Sequence, residues 1–144
     1  MSLIENVSAV LRQAAAEAIL PRFRKLTASD VEEKSPGELV TAADHHAERL
    51  IGEQLLQLDP SARIVGEEAC ARNPALASAL NQGTVWLIDP LDGTGNFVSG
   101  RGPFSVMVAL LRGGETVATW MSPNWEVGPR LMESAWLRME KQSR

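Results

Sequence analysis

Only one cysteine, Cys70, occurs in the chain, so no disulfide can close within it. No basic block and no interleaving of basic with aromatic residues is present, and 18 acidic side chains outnumber 14 basic ones for a formal net charge of -4. That balance excludes the usual polyanion-binding surface, and no nucleic-acid partner is expected. No apolar run approaches the roughly 20 residues that a membrane-crossing helix needs, so no membrane partner is expected either. The opening residues, Met1-Ser2-Leu3-Ile4-Glu5-Asn6, have neither the cationic start nor the apolar core of an export signal, and the chain is expected to be cytoplasmic. Gly-x-x-x-x-Gly-Lys and the Rossmann glycine fingerprint are both missing, which leaves nucleotide binding by those routes unsupported. Internal repeats and low-complexity tracts are also lacking. What remains is 144 residues, 44% hydrophobic and 22% charged, enough for the core of one globular domain.

Over residues 3–19 the apolar positions Ile4, Val7, Leu11, Ala14, Ala15 and Ala18 recur at three- and four-residue steps before Pro21, which predicts an amphipathic helix. A second helix is expected to start at Thr41, whose hydroxyl can cap free backbone N–H groups, and to run through Ala47, Ile51 and Leu55 to Asp59-Pro60. Between the two helices the segment is polar. Strands are expected at residues 63–66, at 84–88 stopping before Asp89-Pro90, and at 104–111. Gly113-Gly114 is a hairpin signal that should return residues 115–121 antiparallel to the strand before. Helices followed by strands predict an α+β fold, with a helix pair layered on a mainly antiparallel sheet rather than alternating βαβ units. Residues 121–144 differ in texture, holding Trp125 and Trp136 and showing no clean helical or strand period.

The densest chemical signal lies in Trp86-Leu87-Ile88-Asp89-Pro90-Leu91-Asp92-Gly93-Thr94-Gly95-Asn96-Phe97. A hydrophobic strand there delivers two carboxylates, Asp89 and Asp92, across a proline-containing turn that can aim both at one point. Hard cations such as Mg2+ take several oxygen ligands in near-octahedral geometry, and the carbonyl of Leu91 can join the two carboxylates. Gly93 allows close backbone approach, and the N–H groups of Gly93 and Thr94 open a segment suited to an anion. The plain alternative is that Asp-Pro and Asp-Gly are simply turn dipeptides. Gly66-Glu67-Glu68 ends the first strand candidate, where Glu67 is placed to bridge two metals, although adjacent glutamates are commonly a solvated surface pair. Asp44 lies three residues beyond Thr41, so it either completes a capping box or serves as a carboxylate that accepts a proton from a Thr hydroxyl, and the two roles are compatible. His45 and His46, being adjacent on a helix, point about 100° apart and are read as solvated. Cys70 is read as an ordinary buried or half-buried thiol and the tryptophans as packing residues.

Three segments, residues 39–44, Gly66-Glu67-Glu68 and residues 86–97, stand in the order and rough spacing found in the inositol monophosphatase family, which this sequence resembles from about Lys34 to Trp120. The Asp-Pro-Leu-Asp-Gly-Thr core is specific for the wider superfamily of fructose bisphosphatases, bisphosphate nucleotidases and some histidinol phosphatases. The resemblance implies the N-terminal half of an αβαβα fold over residues 1–120. It further implies that Glu67, Asp89 and the Leu91 carbonyl hold one Mg2+ while Asp92 joins Asp89 around a second. Glu67 would also orient the attacking water, Thr94 with Asp44 would activate or position it, and the amides of Gly93 and Thr94 would hold the substrate phosphate. The reaction implied is in-line displacement on a small phosphorylated alcohol, inositol monophosphate first, by a metal-activated water, in a family whose members are often homodimers. Two departures stand out: Gly95 occupies a position where members often have a second Thr, and the family's second half, with its Trp-Asp-x-Ala metal ligand, has no counterpart here. Residues 121–144 are therefore read as an atypical tail arising from truncation or a frameshift. The competing expectation is a metal-binding but catalytically incomplete fragment, which would bind metal without turning over a phosphate ester. A purely structural domain is a third, in which Asp89→Asn would leave metal affinity unchanged.

Overall fold

The computed structural model describes residues 2–122 and the short strand Met139–Glu140. The first helix, α1 (Leu3–Ala14), opens with a capping box in which the Glu5 amide donates to Ser2 Oγ at 3.2 Å and the Ser2 amide donates to Glu5 Oε2 at 2.8 Å. The helical path continues to Ile19 as expected, but residues Ala15–Ile19 form a wider π turn and Leu20–Arg22 a 3-10 turn. Pro21 lacks an N–H and ends the regular ladder there. The polar segment between the helices carries a feature that the sequence reading passed over, a hairpin of β1 (Val31–Ser35) and β2 (Glu38–Thr41). Its strands are short, β1 is charged and largely exposed, and burial in β2 is confined to the adjacent Val40 and Thr41, so no apolar alternation marks them.

Thr41 then caps α2 (Ala42–Leu58), followed by β3 (Arg63–Gly66), α3 (Glu67–Arg72) and a 3-10 stretch Pro74–Asn81. The chain continues through β4 (Thr84–Asp92), α4 (Thr94–Val98), β5 (Ser105–Arg112), β6 (Glu115–Met121) and β7 (Met139–Glu140). The strands β3 to β7 form one sheet in chain order. All neighbours in it run antiparallel except β3 and β4, which are parallel and joined by a crossover through α3. The fold is thus α+β with a mainly antiparallel sheet, as expected, and holds a single βαβ unit rather than an alternating series. A crossover is the only way to join parallel neighbours, and the six-residue α3 is too short to show a helical period.

Apolar side chains pack on both faces of the sheet. Trp86, Ile88, Val108, Leu110 and Trp120 face a core shared with Val7, Leu11 and Ala18 of the first helical segment and Ala43, Ala47, Ile51 and Leu55 of α2, all nearly inaccessible. Alanines at these contacts let the helix pair approach closely. Val65, Val85 and Leu111 form a smaller cluster on the other face, against Cys70, Ala79 and Leu80 of the crossover. Trp86 and Trp120 are packing residues, their rings 5.6 Å apart, and Cys70 is half-buried, both as expected. Trp125 and Trp136 lie outside the described residues, as does most of the 121–144 tail. Its described strand, β7, pairs with Ala118 and Thr119. No described helix is long and apolar enough to cross a membrane.

Candidate active site

The carboxylates gather at the carboxyl ends of the parallel pair. Gly66 is in register with Ile88, so the next residues along the two strands, Glu67 and Asp89, emerge side by side. Beyond Asp89 the ladder slips: Asp89 pairs with Met107 and Asp92 with Ser105, three residues of β4 against two of β5. The extra residue is a β-bulge at Pro90-Leu91, where proline has no N–H to give to the ladder. In a regular strand, side chains three apart face opposite ways, but this bulge brings Asp92 to the same face as Asp89. β4 therefore runs on to Asp92 instead of stopping before Asp89-Pro90, because the bulge absorbs the proline without ending the strand.

Electrostatically the cluster is frustrated. Burial, contact with the Glu67 carboxyl and the charges of Glu67 and Asp92 push Asp89 up to about 8, against a weaker opposing effect from the Leu91 backbone. Its Oδ1 is buried without a hydrogen-bond partner among the described residues. Such an orphaned acceptor costs about 1–3 kcal/mol unless a donor or cation meets it. Lys34 of β1 supplies positive charge nearby, its Nζ 3.3 Å from Glu67 Oε1 and 3.2 Å from Glu68 Oε1. Burial alone would lower the Lys34 ammonium, but Glu68 and Glu67 hold it above its usual range. Among the described residues, no three carboxylate, imidazole or thiol side chains are drawn as close together as a bound metal ion would hold them.

On the other side of the turn, Thr94 Oγ1 lies 3.0 Å from Asp44 Oδ1 and 3.0 Å from the Leu91 carbonyl. One hydroxyl proton can go to only one of them at a time. Asp44 is fully buried and completes a capping box: the Thr41 amide donates to its Oδ2 at 2.8 Å, and Thr41 Oγ1 donates to the same oxygen at 2.7 Å. Burial raises Asp44 despite these hydrogen bonds. Its capping and site-facing roles therefore coexist in one carboxylate. Gly93, at φ +87°, has the left-handed conformation that precedes α4, and a Cβ there would lie 2.6 Å from the Pro103 carbonyl. The structure thus brings Asp44, Glu67, Asp89, Leu91, Asp92, Gly93 and Thr94 to one end of the sheet.

The sequence reading placed His45 and His46 in solvent, and that is corrected: both are half-buried against arginines. Arg72 Nη1 lies 3.3 Å from His45 Nδ1, and Arg22 Nη1 donates at 2.9 Å to the Ala18 carbonyl while lying 3.0 Å from His46 Nδ1. Burial, then the charges of Arg22 and Arg49, depress the His46 imidazole. Glu68, half of a pair commonly solvated, is buried on Lys34. Sequence reasoning also missed Lys34 and Glu48. Nothing singles out Lys34 in the sequence, but Glu48 stands on the apolar face of α2 between Ala47 and Ile51, a charge where the period calls for a hydrophobe.

Residues 2–126 match the model of the inositol monophosphatase family. Inositol-1-monophosphatase of Rhizobium meliloti is 35% identical over 116 residues, covering 81% of this chain and 42% of the relative. Fructose-1,6-bisphosphatase/inositol-1-monophosphatase of Aquifex aeolicus is 32% identical over 112 residues, covering 78% and 40% respectively. A 3'(2'),5'-bisphosphate nucleotidase of Aggregatibacter actinomycetemcomitans is 34% identical over 110 residues, covering 76% and 39%. Among solved structures, Thermotoga maritima IMPase superposes with a TM-score of 0.76 at 26% identity, covering 99% of this chain and 50% of that one. The chain spans less than half the length of these curated relatives.

Proposed function

Because the chain belongs to the inositol monophosphatase family, we propose that its carboxylate cluster holds divalent cations, Mg2+ first, for hydrolysis of a small phosphate monoester. The observation that carries this reading is the buried Oδ1 of Asp89, beside Glu67 and Asp92 and without a hydrogen-bond partner among the described residues, an acceptor whose cost a cation would remove. The donors fit: all are hard oxygens, from Glu67, Asp89, Asp92 and the Leu91 carbonyl, of the type that Mg2+ selects. When bound there, a divalent cation neutralises phosphoryl charge and acidifies a water.

The chain's own residues divide the remaining work. Glu67 and Asp89 sit side by side to hold one cation, and Asp92, turned onto the same face by the bulge, extends the set toward a second. Thr94 directs its hydroxyl proton to Asp44, which leaves the threonine lone pairs to accept from the attacking water and orient it. The amides of Gly93 and Thr94 would hold the phosphate, on a turn whose path requires glycine at position 93, since a Cβ there would collide with Pro103. Inositol monophosphate is the first substrate to test, since relatives named for it match over most of this chain. The bisphosphate nucleotidase and fructose bisphosphatase names among the relatives make those esters the next. A second reading is metal binding without turnover; the chain spans 40–42% of these two relatives. Phosphate release from inositol 1-phosphate by the 144-residue chain, with and without Mg2+, separates the two. Release that depends on Mg2+ and vanishes in Asp89→Asn supports the phosphatase; saturable Mg2+ binding without release supports the fragment; neither would sink both.

A further inference from the structure

Glu48 lies one helical turn after Asp44 on α2 and is 9% exposed, and its carboxylate hydrogen-bonds outside its own helix. Its Oε1 accepts from the Glu68 amide at 2.7 Å and its Oε2 from the Ala69 amide at 3.0 Å. Those amides belong to the first turn of α3, whose preceding residue, Gly66, offers no side-chain cap. A distant carboxylate therefore does what a local Ser or Asp usually does, satisfying two of the N–H groups that a helix start leaves free. Gly66 is shaped to this contact, because a Cβ there would collide with the Glu48 carboxylate. The clamped turn is the one that carries Glu67.

Four residues of α2 rise about 6 Å, close to the spacing of about 4.8 Å between adjacent strands. One face of α2 thereby reaches the turns after both parallel strands: Asp44 accepts from Thr94 after β4, and Glu48 accepts from Glu68 and Ala69 after β3. We infer that Glu48 is a positioning residue, whose bidentate hold on the start of α3 fixes the direction in which Glu67 projects toward Asp89. The inference rests on the metal-site reading only for the consequence of that position. It treats Glu48 as separate from the cation ligands themselves.

The test uses the whole 144-residue chain, Mn2+ as the probe, and the variants Glu48→Gln, Glu67→Gln and their double. Glutamine keeps the size of Glu48 but offers a single acceptor oxygen, so one of the two amides loses its partner. Glu48→Gln should weaken Mn2+ binding about tenfold or more, as loss of a group that orients a metal ligand does. The double variant should then bind no more weakly than Glu67→Gln alone, because Glu48 acts through Glu67. Gly66→Ala, which displaces Glu48 from the opposite side, should reproduce the Glu48→Gln loss. Binding by Glu48→Gln within twofold of the parent, or losses that multiply in the double variant, would overturn the inference. If the parent chain binds no Mn2+, the metal reading fails, and amide exchange in chelator decides the positioning claim alone. Selective acceleration at Glu68 and Ala69 in Glu48→Gln sustains it, and unchanged protection there overturns it.

Discussion

Replacing Gly93 with alanine separates backbone geometry from side-chain chemistry. Gly93 has φ +87° and ψ +35°, and a left-handed conformation costs a non-glycine residue about 1–2 kcal/mol. The added Cβ would lie 2.6 Å from the Pro103 carbonyl and 3.2 Å from Phe104 Cα, both backbone atoms that no rotamer change can move aside. Forced displacement of packed structure adds about 1–3 kcal/mol, for a total of roughly 2–5 kcal/mol. Against a domain stability of about 5–15 kcal/mol this loss is severe but measurable. Equilibrium urea unfolding followed by the fluorescence of the buried Trp86–Trp120 pair should show the midpoint falling by roughly 1–2 M with the slope unchanged. Gly95→Ala is the internal control two residues on: it lies within α4, and its Cβ would meet nothing within 4 Å. That variant should be neutral or more stable by up to about 1 kcal/mol. Equal effects at the two positions would refute the geometric account of this turn.

Asp89→Asn should raise the melting temperature of the chelated chain above pH 8, because it removes a charge repelled by Glu67 and Asp92, while abolishing the further rise on adding Mg2+. Thermal shift with and without the cation checks both parts. The pH dependence has a definite sign: Asp89 is pushed up to about 8 from 3.8, so in the folded chain it keeps a proton that the unfolded chain releases. Its stabilising contribution is complete below the unfolded value and is lost as pH rises through the folded one. The chelated chain should therefore melt at lower temperature as pH climbs from about 5 to 9, and a slope that survives in Asp89→Asn would assign it elsewhere. Thr41→Ala should cost about 0.5–2 kcal/mol in urea unfolding, because it removes the cap of α2. It also strips one hydrogen bond from buried Asp44, so Mg2+-dependent turnover, where present, should fall as well.

The helix pair and the order of the long strands were legible because their signals are local: three- and four-residue apolar steps in α1 and α2, the Thr41 cap, and the Gly113-Gly114 turn. The β1–β2 hairpin was not, since β1 is charged and largely exposed and β2 is only four residues long. Nor was the parallel β3–β4 pair, which depends on a crossover too short and irregular to have a period. Each named site residue was visible in the sequence, but the bulge that turns Asp92 to face the same way as Asp89 is a property of pairing with β5, and no single strand encodes it. Lys34, Glu48 and Glu68 entered the site only through contacts between residues 20 to 34 positions apart. The placement of a charge on the apolar face of α2 was the one trace that Glu48 left in the sequence.

Calorimetric titration of Mg2+ into the folded 144-residue chain, beside Asp89→Asn, tests the central claim most directly. Saturable binding by the parent that disappears in the variant is the predicted result; a folded parent that takes up no Mg2+, or a variant that binds it equally well, would contradict the assignment of this carboxylate cluster as a cation site.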